Sequence, residues 1–387
     1  MEMLFRDIKK HLATIDWFLV ICVCAALGFG LLAVRSATNF FYLRPDLGNQ
    51  ARALTVQVTA IVIGLIAMVI LSKSDYMHIL KYWKPLYIIS VILLAGLHIF
   101  GVGGEAGVGN RSWYRFAGVG IQPSEFVKIV FIMTLANQLD KNQENINGVK
   151  NIIMLCLYLL IPFGLILSVG DLGNGMIYTF IFLTMCFAAG ISLWYFLGGA
   201  FIMAALSPLL WNWELIMPEY RQRRVLEGFD PAIPPGWQVQ QSIRAIGSGG
   251  LLGQGYEQGI LTQRGMVPAQ WTDFIFSTIG EEFGFVGAIS VLIILTLIIV
   301  RIFIAARRAR NNLGSLICMG IMAMFIAQTV INIGMCLGML PVIGVTLPFF
   351  SYGGSSVLSL LLSIGIVLSV NSRKNMYYFT REDNLDK

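Results

Sequence analysis

The feature that most limits this chain is a succession of ten apolar stretches. Each is near the ~20 residues that a helix needs to cross the hydrocarbon core of a bilayer. They run approximately over Asp16–Val34, Thr55–Leu71, Leu86–Val102, Pro123–Leu139, Ile152–Val169, Met176–Gly190, Leu193–Leu210, Asp273–Ile302, Leu316–Leu340 and Ser355–Val370. Only 12% of the 387 residues are charged, against about 25% in soluble domains. The chain therefore reads as all-α, a single polytopic membrane domain over residues 1–387 with about ten transmembrane helices. The sixth and seventh stretches are joined by almost nothing, so one broken helix stays open there.

Lysine and arginine set the orientation. Sixteen fall on the side of the two termini and ten on the other, five of these in one long connection. Both termini are accordingly expected in the cytoplasm. No small-residue cleavage site follows the first apolar run, which reads as a signal anchor. The long connection, residues 211–272, is then extracytoplasmic, and a loop of that length is usually functional. A net charge of +6 with no basic stripe argues against nucleic acid. The six cysteines lie in apolar runs and the three histidines are scattered, so no disulfide framework, zinc spacing or histidine metal site is read.

Polar residues inside apolar spans mark the candidate chemistry. Glu125 and Lys128 are three apart on the fourth span and share a face. Ionisable groups at that depth default to function, though a structural ion pair is the plainer alternative. Asp273 stands where the long loop enters the eighth span, with Ser277 and Glu281 near its face and Glu282 turned away. It is either an N-terminal cap or, with Thr272 capping instead, a free carboxylate. The loop carries Arg221, Arg223, Arg224 and Arg244 with Gln241, Ser242 and a run of glycines, including Gly249, Gly250 and Gly253. Arginines beside exposed amides suit a diphosphate, and a solvated surface is the alternative. Asp171 ends the fifth span. The string "LPVIGVTLPFFSYGGSS", with Ser351 and Ser355, breaks helicity before the tenth, which is tolerated at membrane depth only where it is buried or lines a cavity. Arg111, Trp113 and Arg115 precede the fourth span.

These segments carry a resemblance. "RSWYRFAGVGIQPSEFVK", "TDFIFSTIGEE", "LPFFSYGGSS" and the loop strings from Tyr220 to Gly255 resemble the signatures of the shape, elongation, division and sporulation family, across nearly the whole chain. The short N-terminal arm is more similar to the RodA branch than to FtsW or the sporulation paralogue. The resemblance implies a multi-pass protein of the bacterial cytoplasmic membrane that polymerises lipid II as an inverting glycosyltransferase. Asp273 would be the essential aspartate and Glu125 and Lys128 the embedded acid and lysine. Trp113, Arg111, Arg115, Arg221, Arg224, Gln241, Ser242, Arg244, Asp171, Ser351 and Ser355 would bind substrate. It also implies a class B penicillin-binding protein as partner, with other elongation-machinery membrane proteins. A divalent cation, Mg or Mn, is a possible cofactor. A lipid II transporter and a noncatalytic scaffold are the competing classes. One departure stands out: the fifth span ends "VGDLGN" where the family reads "QPDLGT", so Val169, Gly170 and Asn174 differ. Small residues Gly284, Gly287 and Gly320 are read as the close-packing face for the partner's helix.

Overall fold

The structure is a computed structural model that describes residues 14–103, 111–116, 119–212 and 236–373, with 219, 222 and 226. Ten long helices carry the fold. They are α1 (Trp17–Asn39), α2 (Gln50–Lys73), α3 (Trp83–Phe100), α4 (Pro123–Lys141), α5 (Val149–Ser168), α6 (Leu172–Ala188), α7 (Leu193–Trp211), α9 (Ile275–Arg307), α10 (Asn312–Cys336) and α11 (Gly354–Arg373). Seven are long and apolar enough to cross a membrane, and α6 and the apolar part of α7 are shorter. The tenth, α4, carries Glu125, Lys128, Asp140 and Lys141.

Local chemistry starts the helices where they start. Asp16, Asn49, Asp171 and Asn311 each accept a backbone N–H three residues on, opening α1, α2, α6 and α10. Pro123 opens α4, where its missing N–H costs nothing. The sixth and seventh stretches are two helices, not one broken one. Gly190, at φ 88°, turns the chain between them.

Burial sorts the helices. The apolar windows of α10 and α11 are 72% and 83% buried within the protein, whereas those of α2, α3, α5 and α9 are 17–28% buried. Thus α10 and α11, with the largely buried α4, form the centre, and α2, α3, α5 and α9 turn broad apolar faces outward. On α7, Trp194 and Phe201 are 80% and 76% exposed, as expected of a helix that faces lipid.

Two expectations change. The eighth span begins at Ile275 rather than Asp273 and is interrupted at Gly284, with φ 63° and ψ −158°. The long connection is not simply a solvated loop. It forms an amphipathic helix α8 (Trp237–Ser248), and the chain after it pairs with the break in α9. Gln254 N donates to Glu281 O at 3.0 Å, Gly255 N to Glu282 O at 3.1 Å, and Phe285 N to Gly250 O at 2.9 Å. These bonds satisfy backbone groups that the break would strand at membrane depth. A Cβ at Gly249 would strike Gly280 O, and one at Gly253 would strike Glu282 O. Those two glycines allow the loop to lie against α9 rather than cradling a diphosphate. Gly284→Val is expected to cost about 2–5 kcal/mol, from left-handed strain plus overpacking against Gly253 and Leu251. Faster proteolysis between α8 and α9, with a lowered thermal midpoint, checks it.

Candidate active site

The segment that leads into α9 is held by its backbone. Trp271 O accepts from Tyr352 N at 2.8 Å. Thr272 O accepts from Ser351 Oγ at 2.6 Å. Asp273 O accepts from Asn332 Nδ2 at 2.8 Å, with Cys336 Sγ 3.6 Å away. Trp271 also stacks on Phe40, ring centres 5.5 Å apart. Three successive carbonyls are thus fixed by α10 and by the segment before α11. Neither Asp273 nor Thr272 caps α9. The cap position belongs to Phe274, with no side-chain bond to the helix. The Asp273 side chain is half-buried and lies next to Gly344, where an added Cβ would sit 3.6 Å from Oδ2.

That glycine belongs to the irregular stretch between α10 and α11. Asn332 Nδ2 also donates to Val345 O at 2.7 Å. Leu347 N donates to Ser351 Oγ at 2.8 Å. Gln57 on α2 binds the far turn twice, Nε2 to Ser351 O at 3.3 Å and Oε1 from Gly353 N at 3.0 Å. Gly173 at the start of α6 lets Ile343 O and Val345 approach its backbone. The irregular stretch therefore bridges Asp273 to the Asp171 end of α6.

Asp171 is 6% exposed and accepts three hydrogen bonds. Its Oδ1 accepts from Asn174 N at 3.1 Å, and its Oδ2 from Asn174 Nδ2 at 2.8 Å and Gln122 Nε2 at 3.0 Å. Ser355 Oγ accepts from Gln122 N at 3.2 Å. One step inward lies the Glu125–Lys128 pair, Nζ to Oε1 2.7 Å, with side chains 5% and 0% exposed. Ser359 Oγ donates to the other Glu125 oxygen at 3.2 Å.

The remaining expected residues divide clearly. Trp113 lies half-buried in the hairpin formed by β1 (Tyr114–Phe116) and β2 (Val119–Ile121), against Gly120. Arg111 and Arg115 are exposed on the same segment. Gln241 and Ser242 are buried on α8, where Ser242 Oγ meets Ser277 Oγ and Cys336 O, each at 2.6 Å. Ser242 thus docks α8 onto α9 and α10 beside Asp273. Arg244, two residues on, is exposed. Arg221 and Arg224 lie outside the described residues.

Glu281 and Glu282 hold the loop. Glu281 accepts Leu261 N and Thr262 N at 2.8 and 2.9 Å. Glu282 accepts Ser36 Oγ at 2.6 Å and Gln263 Nε2 at 2.8 Å. The sequence reading named Glu281 and Glu282 without this anchoring role, and it missed Asn332. The criterion that found Glu125, a polar residue in an apolar span, would have found Asn332 too.

The glycine face does not stand. A Cβ at Gly320 would meet Ile132 and Met185 inside the bundle, and Gly284 and Gly287 are buried. These residues pack this protein's own elements rather than offering a surface to a partner.

Among the described residues, no three His, Cys, Asp or Glu side chains gather as a metal site.

The family model described as a cell cycle protein, covering FtsW, RodA and SpoVE, matches residues 16–376. The chain belongs to the FtsW/RodA/SpoVE family. It is 32% identical to a probable peptidoglycan glycosyltransferase FtsW of Trichlorobacter lovleyi, over 96% of this chain and 97% of that one. It is 33% identical to the peptidoglycan glycosyltransferase MrdB of Escherichia coli K12, over 95% of each. Among solved structures it resembles a chain from work on how a peptidoglycan synthase complex coordinates polymerization and crosslinking. That match has a TM-score of 0.78 and 30% identity, and covers 94% of this chain and 99% of that one. Family and fold together make this a multi-pass membrane protein.

Proposed function

We propose that this protein polymerises lipid II into β-1,4-linked glycan at the outer face of the bacterial cytoplasmic membrane, with both termini in the cytoplasm and its role in elongation. That it is a peptidoglycan glycosyltransferase follows from its family, whose FtsW and MrdB members it matches equally well over nearly their full length. The observation that carries the mechanism is Asp273. Its carboxylate adjoins irregular backbone while its own carbonyl is clamped by Asn332.

In this reading the donor is a growing glycan joined through its anomeric carbon to undecaprenyl diphosphate. The acceptor is the 4-hydroxyl of the N-acetylglucosamine of lipid II. Asp273 takes the hydroxyl proton as O4 bonds to the anomeric carbon and the diphosphate leaves from the opposite face. A single displacement inverts the centre, from α-linked diphosphate to β-glycoside. General-base help is typically worth 10²–10⁴-fold. Arg244 on α8 and the loop arginines supply positive charge for the leaving diphosphate. A divalent cation, Mg or Mn, belongs to the substrate side of this site, because one carboxylate plus phosphate oxygens is a ligand set such ions accept. Glu125 and Lys128 form the inner wall.

Lipid II whose 4-hydroxyl is replaced by hydrogen tests the displacement. It should be consumed as a donor and never extended as an acceptor. A glycosidic bond formed to the 4-deoxy sugar as acceptor would refute O4 as the nucleophile.

The partner in this reading is a class B penicillin-binding protein, together with other membrane proteins of the elongation machinery. Helix α8 gives such a partner a route to Asp273, since it joins Cys336, which lies beside the Asp273 carbonyl. Adding the partner should raise the polymerisation rate at fixed lipid II. Equal rates with and without it would remove the activation.

A further inference from the structure

Trp83 opens α3, and two ammonium groups from different helices gather at its ring. Lys84 Nζ lies 5.7 Å from the ring centre. Lys141 Nζ, from the last turn of α4, lies 5.2 Å from it. Successive residues on a helix point about 100° apart, so Lys84 bends back to reach its neighbour's ring. Trp83 is half-buried, and both lysines are exposed.

This arrangement lacks an anion. Like charges held near one ring repel each other, and cation–π attraction at an exposed site is weak. No carboxylate pairs with either lysine among the described residues. The first turn of α3 contains no acid. Asp140 and Glu144 are the acids nearest Lys141 along the chain, and neither forms an ion pair with it.

The surface beside the lysines selects the kind of anion. Ile88 and Ile92 follow Lys84 by four and eight residues, so they share its face of α3. They are 56% and 62% exposed, on a helix whose apolar window is only 17% buried. From Lys84 to Ile92 the helix rises about 12 Å, most of one leaflet of a ~30 Å hydrocarbon core. A free anion would need the cations alone. Cations at the head of an exposed apolar stripe match a molecule with a charged head and a hydrocarbon tail. Basic clusters between helix ends at the cytoplasmic surface suit anionic headgroups in this way.

We propose that Trp83, Lys84 and Lys141 form a headgroup site for an anionic phospholipid, its phosphate drawn to the two ammonium groups and an acyl chain lying along Ile88 and Ile92. The lipid bridges the start of α3 and the end of α4. Its leaflet, the cytoplasmic one, follows from the orientation proposed above; the polymerase reading plays no part in it.

The test titrates phosphatidylglycerol, phosphatidylcholine of the same chain length, or inorganic phosphate into the purified full chain in neutral detergent and follows the thermal midpoint. Phosphatidylglycerol should raise the midpoint at a concentration about tenfold below that needed for phosphatidylcholine. Lys84→Gln with Lys141→Gln should reduce this preference to below about twofold. Arg307→Gln with Arg308→Gln removes two exposed cations from the same end of the bundle, and should leave the preference within about twofold of the unaltered chain. Inorganic phosphate should give no shift. Without lipid, the lysine double variant should melt no lower than the unaltered chain, because it relieves a repulsion. No preference in the unaltered chain, or one that survives in the lysine double variant, would overturn the site. An equal loss in the arginine pair would replace it with a diffuse surface charge. A shift with inorganic phosphate would replace the lipid with a free anion, and a lowered lipid-free midpoint would make the lysines structural. Glycan synthesis is not measured, so failure of the polymerase reading would leave these outcomes unaffected.

Discussion

Asp273→Asn is expected to lower glycan synthesis by about 10²–10⁴-fold without changing the thermal midpoint appreciably. The asparagine is nearly isosteric, but at neutral pH its amide takes no proton from an attacking hydroxyl. The fold should tolerate the change because it leaves in place the bonds to the carbonyls of Trp271, Thr272 and Asp273 that fix this turn. Steady-state polymerisation and a melting curve on the same preparation check both halves. Substantial polymer from the variant removes Asp273 from the base role. A collapsed midpoint would recast it as a structural residue.

Lys128→Met should destabilise the protein by about 3–5 kcal/mol, because it leaves Glu125 as an uncompensated buried charge. Lys128 is fully buried and its ammonium lies 2.7 Å from Glu125. The double variant Glu125→Gln with Lys128→Met removes both charges at nearly constant volume. It should regain most of the midpoint lost by either single change, because the neutral amide that replaces the Glu125 carboxylate still finds Ser359 within reach. It should regain no polymerisation. Recovery of activity along with stability would mark the pair as packing only. Failure to recover stability would mean that the two charges are not one unit.

The spans were legible because lipid imposes a length and a polarity that a sequence displays directly. The Glu125–Lys128 bond was legible for the same reason, since helical spacing puts residues three apart on one face. What stayed hidden depends on tertiary contact. The break at Gly284 looks like ordinary helix in sequence, because nothing local shows that Gly250 and Gly255 will bind the backbone freed there. Likewise α8 has the composition of a loop. Its place is set by tertiary contact, where Ser242 meets Ser277 and Cys336 and where Val239 and Ala245 are buried. The three glycines read as a partner face were misassigned because small residues serve internal packing as readily as external contact, and spacing alone does not distinguish the two. Asp273 was found through its position and resemblance, whereas the clamp on its backbone needed Asn332 and Ser351, residues 59 and 78 positions away in sequence.

The most direct test places the purified protein and its partner in vesicles with labelled lipid II and follows both products at once. One readout is glycan length. The other is transfer of the label between leaflets, read by quenching from outside. The account predicts a ladder of glycan strands from the unaltered chain, its loss in Asp273→Asn, and leaflet transfer no faster than in empty vesicles. Leaflet transfer without any glycan from the unaltered chain would contradict it and identify a transporter instead.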